Sequence, residues 1–273
     1  MRISDAQAEG AALLRAAGIE GAGRDTDRIL AGVLGIEPGR LRMTDDRRLN
    51  DQERAAFNRG IAARALRQPV AQIVGHRDFW AHRFKVTRDT LDPRPETEAL
   101  VEAALERPWR DVLDMGTGTG AILISLMAAR KGARGLGTDI SEAALKVARY
   151  NARQIGVDAR FRQADWYAGI EGAFDLIVSN PPYISVAEMA ALSPDVREWE
   201  PQDALTDGGD GLGAYRAIAA GARAHLNPGG QVLVEIGPTQ GADVAALFAA
   251  EGALIEILPD LDGRDRVVCA DFG

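Results

Sequence analysis

The chain has 273 residues, of which 46% are hydrophobic, and a formal net charge of −8. This length provides a substantial core and approaches the size at which a chain usually divides into domains. The acidic balance argues against direct binding of nucleic acid, which normally needs a basic surface. The sequence has no apolar signal core and no membrane-spanning run, so we expect a soluble, cytoplasmic protein without membrane contact.

Three segments in the first part of the chain have apolar residues at helical spacing: 4–17, 25–35 and 51–66. The third begins with Asn50-Asp51-Gln52-Glu53, which has the form of a capping box. The sequence therefore predicts a small helical domain over residues 1–70.

The segment over residues 71–92 has a different pattern. From Val70 to Asp89, apolar and polar residues alternate, which is typical of a β-hairpin or a short pair of strands. The next motif, Asp92-Pro93-Arg94-Pro95-Glu96-Thr97-Glu98, contains two prolines, which exclude a helix or a central strand. We predict a hairpin linker followed by a rigid loop that leads into a helix over 96–106.

After Arg110, apolar runs alternate with helical patterns. This repetition predicts an α/β domain over residues 93–273, with a Rossmann-like, mostly parallel sheet and helices on both faces. The predicted strands are 111–115, 134–138, 174–179, 231–236, 254–258 and 266–271, and the predicted helices are 119–131, 141–155, 214–226 and 240–251.

A glycine-rich loop, Gly116-Thr117-Gly118-Thr119-Gly120, follows the first of these strands and precedes a helix. Loops at this edge of an α/β sheet bind ligands, and glycine lets the backbone approach them closely. Asp139 ends the next strand, where its carboxylate can accept hydrogen bonds from both hydroxyls of a ribose. Nicotinamide enzymes and methyltransferases share both features, so these residues alone leave either cofactor, and a non-enzymatic binding module, open.

A second motif, Asn180-Pro181-Pro182-Tyr183, follows the buried strand 174–179. Its prolines fix the backbone and lack N–H donors, which leaves carbonyl oxygens as acceptors. If the Asn180 side-chain oxygen and the Pro181 carbonyl each accept one N–H, they hold an NH₂ group with its lone pair aimed at a methyl sulfonium. Tyr183 can cover the flat face of the group that carries the nitrogen. We therefore favour a methyltransferase that uses S-adenosylmethionine, with Asn180, Pro181 and Tyr183 as its catalytic residues.

Two further residues are candidates for cofactor binding. Asp165 and Trp166 lie between the helix 141–155 and the strand 174–179, after a further strand of the sheet. There the indole can border an adenine and the carboxylate can accept from its amino group. A tryptophan of the core is the alternative interpretation. The three histidines are scattered without metal-ligand spacing, so we predict no metal site.

With these residues assembled, the chain resembles the HemK/PrmC family, the N5-glutamine methyltransferases of class 1 peptide chain release factors. The resemblance covers nearly the whole chain. Besides the two motifs above, it rests on the segment from Gly75 to Phe84, the loop from Pro93 to Glu98, Ile184, the stretch from Glu200-Pro201 to Ala204-Leu205, Gly208-Gly209-Asp210-Gly211-Leu212 and Glu235-Ile236-Gly237. Asp92 departs from the pattern, in which an apolar residue is expected.

The resemblance implies that residues 93–273 form a class I methyltransferase domain in which Gly116 to Gly120, Asp139, Trp166 and Asn180 contact S-adenosylmethionine. It also implies that Asn180-Pro181-Pro182-Tyr183 binds the glutamine of a Gly-Gly-Gln loop on a release factor, and that the helical domain helps to dock this protein. Methyltransferases that act on adenine in DNA or guanine in RNA share the same tetrapeptide. Methylation of a base, and of a glutamine in a ribosomal protein, therefore stay open as alternatives.

Overall fold

The computed structural model describes residues 1–43 and 47–273, which form two compact units. The first unit contains residues 1–76 together with 193–199, and the second contains 77–192 and 200–273. Each unit has its own hydrophobic core. None of the helices in the described part of the chain combines the length and the apolar character needed to cross a membrane.

The first unit is helical, as predicted. Its elements before residue 77 are α1 (Ile3–Ala16), α2 (Ala22–Leu34), a 3₁₀ helix (Pro38–Met43), α3 (Asp51–Ala65) and α4 (Val70–Val74). The capping box of α3 is confirmed, because Asn50 Oδ1 accepts from Glu53 N at 2.9 Å and Glu53 Oε2 accepts from Asn50 N at 2.9 Å.

The prediction of alternating, extended structure from Val70 onward is wrong for the first residues, which form α4. Val70, Ile73 and Val74 recur at i, i+3 and i+4, a spacing that in so short a window is hard to separate from alternation. Gly75 ends α4 with a φ of 81°, and extended structure begins only after it.

The second unit is an α/β fold, as predicted. Its strands, in chain order, are β1 (His76–Phe79), β2 (His82–Lys85), β3 (Asp111–Met115), β4 (Arg134–Asp139), β5 (Arg160–Gln163), β6 (Phe174–Ser179), β7 (Leu226–Glu235), β8 (Leu254–Pro259) and β9 (Asp265–Asp271). The remaining α-helices in chain order are α5 (Glu98–Leu105), α6 (Ala121–Ala129), α7 (Glu142–Ile155), α8 (Val186–Met189), α9 (Pro194–Trp199), α10 (Gly213–His225) and α11 (Gly241–Ala250), of which α9 belongs to the first unit. Short 3₁₀ helices cover Pro95–Thr97 and Gln202–Ala204.

The strands β3 to β9 form one sheet in the order β5-β4-β3-β6-β7-β9-β8, and β1 pairs with β2 separately. Strands β3 to β7 are parallel, whereas β9 runs antiparallel to both β7 and β8. The main difference from the predicted elements is the start of β7, which lies at Leu226 rather than at 231. Pro228-Gly229-Gly230 interrupts the regular pairing of this strand, because Gly229 has a φ of 76° and the step from Leu226 to Gln231 lies opposite the shorter step from Phe174 to Leu176 of β6.

Strand β3 lies where the strand order reverses. Met115 at its end is paired with Thr138 of β4 on one side and with Ser179 of β6 on the other. The Ser179 hydroxyl also donates to the Met115 carbonyl at 2.8 Å. The loops that follow β3, β4 and β6 therefore leave the sheet side by side, at the edge where open α/β sheets bind ligands.

The β1–β2 hairpin is fastened to this edge by the buried side chain of Asn151 on α7. Its Oδ1 accepts from Lys85 N at 2.8 Å, and its Nδ2 donates to Lys85 O at 3.2 Å and to Thr119 O at 2.9 Å. One amide thus connects the hairpin, α7 and the glycine-rich loop. Asp92, the residue that departs from the family pattern, is buried, with its Oδ1 3.9 Å from Nε of Arg77 on β1.

Residues 193–199 belong to the first unit although they follow the Asn180 motif in the sequence. The buried Arg64 of α3 pairs with Asp25 at 2.8 Å and with Asp195 at 2.7 Å. Trp199 Nε1 donates to Leu66 O at 3.2 Å. A segment from the second half of the chain therefore completes the helical unit.

Candidate active site

The glycine-rich loop turns from β3 into α6 with φ values of 68°, 54° and 81° at Gly116, Gly118 and Gly120. These left-handed conformations strain any residue that has a β-carbon. Within the loop, Thr117 N donates to Thr138 O at 2.8 Å, and Gly118 N donates to Asp139 Oδ2 at 2.9 Å. The end of β4 therefore holds the loop in place.

Asp139 connects this loop to the start of α7. Its Oδ1 accepts from Ser141 N at 2.9 Å, and Ser141 caps α7 by accepting from Ala144 N at 3.2 Å. Burial raises the pKa of the Asp139 carboxyl, and backbone hydrogen bonds from Ser141 and Gly118 act in the opposite direction. Each carboxylate oxygen uses one lone pair for these backbone donors and keeps another for a ligand.

Asp114 supports the glycine-rich loop from beneath, a role that our sequence analysis missed. The fully buried Oδ2 accepts from Thr117 Oγ1 at 2.6 Å and from Leu123 N at 3.3 Å, while no described residue hydrogen bonds to Oδ1. Burial, opposed mainly by the Thr117 hydrogen bond, raises the pKa of Asp114 to about 7. The Thr117 hydroxyl is thus committed to Asp114, and both Thr117 and Thr119 are buried. A ligand bound at the loop would therefore contact the backbone of Thr117 and Thr119 rather than their side chains.

Asp165 and Trp166 come to the same edge of the sheet, after β5. Ala164 N donates to Asp139 O at 3.1 Å, which joins this loop to the end of β4. Asp165 is exposed, whereas Trp166 is half-buried against the core. Trp166 has a φ of 49°, an uncommon conformation for a bulky residue that has to be held by its surroundings.

Asn180 follows β6, and its side chain is held by a residue 83 positions away. Asn180 Nδ2 donates to Thr97 Oγ1 at 3.1 Å. Thr97 is buried at the end of the 3₁₀ helix Pro95–Thr97. The amide nitrogen of Asn180 is thereby used within the protein. No described residue donates to Asn180 Oδ1 or to the Pro181 carbonyl, so both oxygens are left as acceptors.

The proline-arginine loop carries Thr97 and is fixed by an ion pair. Arg94 Nη2 lies 2.7 Å from each carboxylate oxygen of Glu200. The Glu200 side chain is only 1% exposed, whereas the Arg94 side chain is 34% exposed, so water reaches the pair from the arginine side. Two separate parts of the family resemblance, the loop from Pro93 to Glu98 and Glu200-Pro201, thus interact directly.

Tyr183, the last residue of the motif, is packed from two sides. Its carbonyl accepts from Gln240 Nε2 at 3.0 Å, and the same nitrogen donates to Gly211 O at 3.2 Å. Gln240 Oε1 accepts from Gly237 N at 3.0 Å. Burial raises the pKa of the Tyr183 phenol to about 12, so this side chain stays protonated at neutral pH. Gln240 therefore joins the Asn180 motif, the 208–212 segment and Glu235-Ile236-Gly237.

The structure thus brings the predicted residues together at one edge of the sheet, in the loops that follow β3, β4, β5 and β6. The histidines stay outside this cluster, and His225 stacks on Tyr167 with ring centroids 4.4 Å apart. Over residues 1–43 and 47–273, no group of three or more His, Cys, Asp or Glu side chains could hold a metal ion.

These residues suit a cofactor that carries a ribose and a charged amino-acid tail. A β-carbon added at Gly116 would meet nothing within 4 Å, so there is open space in front of this residue. Because glycine has no side chain, a ligand in that space can contact the loop backbone directly. The Asp139 carboxylate retains acceptor capacity for two hydroxyls. The acidic cluster of Asp114 and Asp139 also favours a cationic ligand over an anionic pyrophosphate.

Thr97, Asp114, Glu235 and Gln240 are the residues of this region that our sequence analysis did not single out as site residues. Two of them had a visible signal, since Asp114 and Glu235 each interrupt an apolar run that forms a central strand. A carboxylate in such a position indicates a specific role, because burying it without a partner lowers the stability of the fold. Thr97 and Gln240 had no comparable signal.

Known proteins match the chain along nearly its whole length. Residues 5–75 match the PrmC N-terminal domain, and residues 86–196 match the methyltransferase small domain. The chain is 56% identical to the release factor glutamine methyltransferase of Cereibacter sphaeroides, over 99% of this chain and 98% of that protein. It is 48% identical to the protein of the same name from Rhodospirillum rubrum, over 96% of this chain and 82% of that protein.

A solved methyltransferase from Pyrococcus furiosus has the same fold, with a TM-score of 0.54 and 18% identity over 82% of this chain and 100% of that chain. The family inferred from the sequence motifs is confirmed by these similarities. The protein is accordingly a methyltransferase that depends on S-adenosylmethionine. It belongs to the family of release factor glutamine methyltransferases.

Proposed function

We propose that this enzyme transfers a methyl group from S-adenosylmethionine to the side-chain amide nitrogen, N5, of the glutamine in the Gly-Gly-Gln motif of class 1 release factors. The observation that carries the proposal is the Asn180 amide. Because Nδ2 is bound to Thr97, the side chain has its oxygen left to accept from a substrate. Together with the Pro181 carbonyl, this oxygen provides two acceptors, and a primary amide has two N–H donors.

The cofactor is assigned to the loops at the carboxyl edge of the sheet. When bound, S-adenosylmethionine supplies a methyl group attached to a positively charged sulfur. The lone pair of a nitrogen can attack this methyl carbon, with the sulfur as the leaving group. We assign its amino-acid and ribose parts to the backbone of Gly116, Thr117, Gly118, Thr119 and Gly120 and to Asp139. Asp165 and Trp166 are assigned to the adenine, and Asn180 is assigned to both the cofactor and the substrate amide.

The Asn180 motif would prepare the substrate amide for reaction. An amide nitrogen is a weak nucleophile, because its lone pair is delocalised into the carbonyl. Two acceptors in fixed positions hold both N–H bonds, direct the lone pair and stabilise the positive charge that develops on nitrogen. Pro182 keeps the loop rigid, and Tyr183 covers the flat face of the amide.

The reaction as proposed needs no base at its start. With S-adenosylmethionine bound, the amide nitrogen would take the methyl group and S-adenosylhomocysteine would be the leaving product. The Asn180 oxygen and the Pro181 carbonyl would meanwhile hold both protons on the nitrogen. The methylated amide nitrogen is strongly acidic and releases one proton to solvent afterwards. This agrees with the Asn180 motif, which contains no His, Lys or carboxylate.

Several observations support a release factor as the substrate. The relatives with 56% and 48% identity carry that name, and the matches cover 98% and 82% of their lengths. The net charge of −8 disfavours the nucleic-acid alternative. We further propose that the first unit helps to dock the release factor, and that the reaction takes place in the cytoplasm, where release factors meet the ribosome.

Co-incubation with labelled cofactor tests the proposal. The purified enzyme is mixed in separate reactions with a class 1 release factor, with the same factor carrying Gly-Gly-Glu, with ribosomal proteins and with nucleic acid. We expect one methyl group on the Gly-Gly-Gln glutamine by peptide mass spectrometry and none on the Gly-Gly-Glu factor. If label were found only on nucleic acid or on a ribosomal protein, the release factor would be the wrong substrate and the labelled molecule would take its place in the proposal.

A further inference from the structure

We propose that Gln240 is a positioning residue which fixes Tyr183, and with it the end of the Asn180 motif, in the place that the substrate amide requires. This inference rests on the proposed function, because it assumes that Tyr183 covers the substrate amide. Gln240 directly precedes α11 and is half-buried. It does not itself contact the substrate in this proposal.

The first step is the direction of the Gln240 amide, which backbone groups determine at both of its ends. Nε2 donates to Tyr183 O at 3.0 Å and to Gly211 O at 3.2 Å, and Oε1 accepts from Gly237 N at 3.0 Å. A carbonyl oxygen can only accept and a peptide N–H can only donate, so a reversed amide would lose all three hydrogen bonds. The side chain therefore has a single orientation, with its donor toward Tyr183.

The second step is that the helix which follows Gln240 does not account for this side chain. Gln240 occupies the N-cap position of α11, but its side chain forms no capping hydrogen bond with that helix. Residues at this position are usually Ser, Thr, Asp or Asn, whose side-chain oxygen accepts from an N–H of the first turn. The Gln240 amide is directed instead at other segments, so its contacts with Tyr183 and Gly211 need an explanation of their own.

The third step is that Gln240 is itself held in place. Its N–H donates to Gly237 O at 3.1 Å, and its carbonyl accepts from Val244 N at 2.9 Å. A β-carbon at Gly237 would lie 2.9 Å from Gln240 Oε1 and 3.4 Å from Tyr183 Cδ2, so glycine leaves the space in which the two side chains lie. A residue that is fixed by its own hydrogen bonds and packing can hold another one in place.

The fourth step is the place of this contact within the Asn180 motif. The two prolines of the motif have no N–H group, so their backbone nitrogens cannot anchor it by hydrogen bonds. Side chains from outside anchor both of its ends. Thr97 accepts from Asn180 Nδ2 at 3.1 Å, and Gln240 donates to Tyr183 O at 3.0 Å. Gln240 thus has the same role at the end of the motif that Thr97 has at its start.

Tyr183 acts by its position rather than by its charge in this proposal. Burial raises the pKa of its phenol to about 12, so the ring is neutral at neutral pH. A neutral ring stabilises a flat amide only at the right distance and angle. A shift of the Tyr183 backbone would therefore disturb the substrate, and we expect Gln240 to affect turnover more than it affects cofactor binding.

Kinetics of Gln240→Glu, measured on the full chain with a release factor, provide the first test. Glutamate has the same shape and keeps the acceptor for Gly237 N, but an oxygen replaces the nitrogen that donates to Tyr183 and Gly211. We expect kcat to fall about tenfold or more, because the substrate amide is then held less precisely. The KM for S-adenosylmethionine should stay within a few-fold. Gln240→Met removes the donor without adding a charge and should show the same division, which keeps the test valid if the first variant fails to fold.

Asn227→Asp is the matched control. It also places a carboxylate opposite an acceptor, because Asn227 Nδ2 donates to Asp175 Oδ1 at 2.7 Å, but it lies at the start of β7, at the opposite edge of the sheet from the Asn180 motif. We expect urea unfolding to show a loss of stability in both glutamate and aspartate variants, and kcat to fall only in Gln240→Glu. Unchanged kcat in both Gln240 variants, or an equal fall of kcat in Asn227→Asp, would overturn the proposal.

A measurement without turnover keeps this proposal distinct from the proposed function. Fluorotyrosine is incorporated at the four tyrosines, and the ¹⁹F signal of Tyr183 is identified by its loss in Tyr183→Phe. We expect this signal to shift in Gln240→Glu and in Gln240→Met, and to stay in place in Asn227→Asp. If it is the same in all of them, Gln240 does not position Tyr183, whatever the substrate is. If it shifts as expected while no release factor is methylated, only the choice of substrate fails.

Discussion

Gly211 runs directly against the carbonyl oxygen of Tyr183, so closely that a β-carbon on Gly211 would clash with it. Gly211 also has a φ of 79°, which disfavours other residues at this position. The glycine-rich segment after residue 207 therefore packs against the backbone of Tyr183, the last residue of the Asn180 motif. The contact and the positive φ together account for the glycine at position 211.

Substituting Gly211 tests this contact. Gly211→Ala forces the Tyr183 backbone to move. We expect turnover to fall about tenfold or more, because small displacements of a residue that positions the substrate lower the reaction rate strongly. Gly208→Ala is the matched control: its φ is 75°, but its added β-carbon would meet nothing within 4 Å. Both variants have the strain of a left-handed alanine, about 1–2 kcal/mol. Equal turnover in the two would show that the Tyr183 contact is unimportant.

Asn180→Ala removes the oxygen that we assign to the substrate amide. We expect transfer to fall by roughly 10² or more, as for the loss of an acceptor that orients the nitrogen and stabilises its charge. Affinity for S-adenosylhomocysteine, measured by calorimetry, should stay within a few-fold. Asn227→Ala, which removes an amide bound to Asp175 elsewhere in the fold, is the control and should turn over normally. Near-normal transfer by Asn180→Ala would refute the role of Asn180.

Asp139→Asn tests the assignment of the cofactor. The substitution replaces one acceptor oxygen by a donor, so a ribose hydroxyl loses its partner and the amide meets Gly118 N or Ser141 N unfavourably. We expect affinity for S-adenosylhomocysteine to fall roughly 10-fold or more, consistent with a lost hydrogen bond to a charged group. Calorimetric titration measures this directly. Binding of NAD, with no binding of S-adenosylhomocysteine by the unmodified protein, would overturn the cofactor assignment itself.

Asp114→Asn should change how stability depends on pH. Burial raises the pKa of Asp114 from 3.8 to about 7, so the folded state favours the protonated form. Ionisation therefore destabilises the fold increasingly as pH rises from about 4 to about 7, and the penalty is constant above that. Asparagine has no such penalty and can still accept from Thr117.

Urea unfolding at several pH values measures this effect. The free energy of unfolding of Asp114→Asn, relative to the unmodified protein, should increase steadily between pH 4 and pH 7. A difference that is the same at all pH values would mean that Asp114 does not titrate in this range.

The sequence was sufficient for those elements whose local pattern agrees with their burial. Strand β6 and the helices α3 and α7 lie within one residue of their predicted positions, because each has a clear apolar pattern. The helices also have end signals, Asn50 for α3 and Ser141 and Gly156 for α7. The residues Val70 to Val74 were misassigned as extended. Five residues are too few to show whether the period is 2 or 3.6.

Within the candidate site, the sequence identified residues that form contiguous motifs and missed those that arrive from elsewhere. Asn180 was found because the prolines after it are unusual. Thr97 and Gln240 contact the motif across 83 and 57 residues of sequence, and nothing local distinguishes either from an ordinary polar residue. Glu235 could have been noticed, since it is a charged residue in the otherwise apolar end of β7.

The involvement of Arg64 with both Asp25 and Asp195 has a consequence for dividing the protein. The helical unit is discontinuous in sequence, because its last segment, 193–199, lies between Tyr183 and Glu200. A truncation that begins at residue 77 leaves that segment without Arg64 and Leu66, its partners. The segment is followed directly in the sequence by Glu200, the carboxylate that pairs with Arg94. A separately expressed second unit would thus carry an unpartnered segment directly before Glu200 in the sequence, and we expect its turnover to fall for that reason alone.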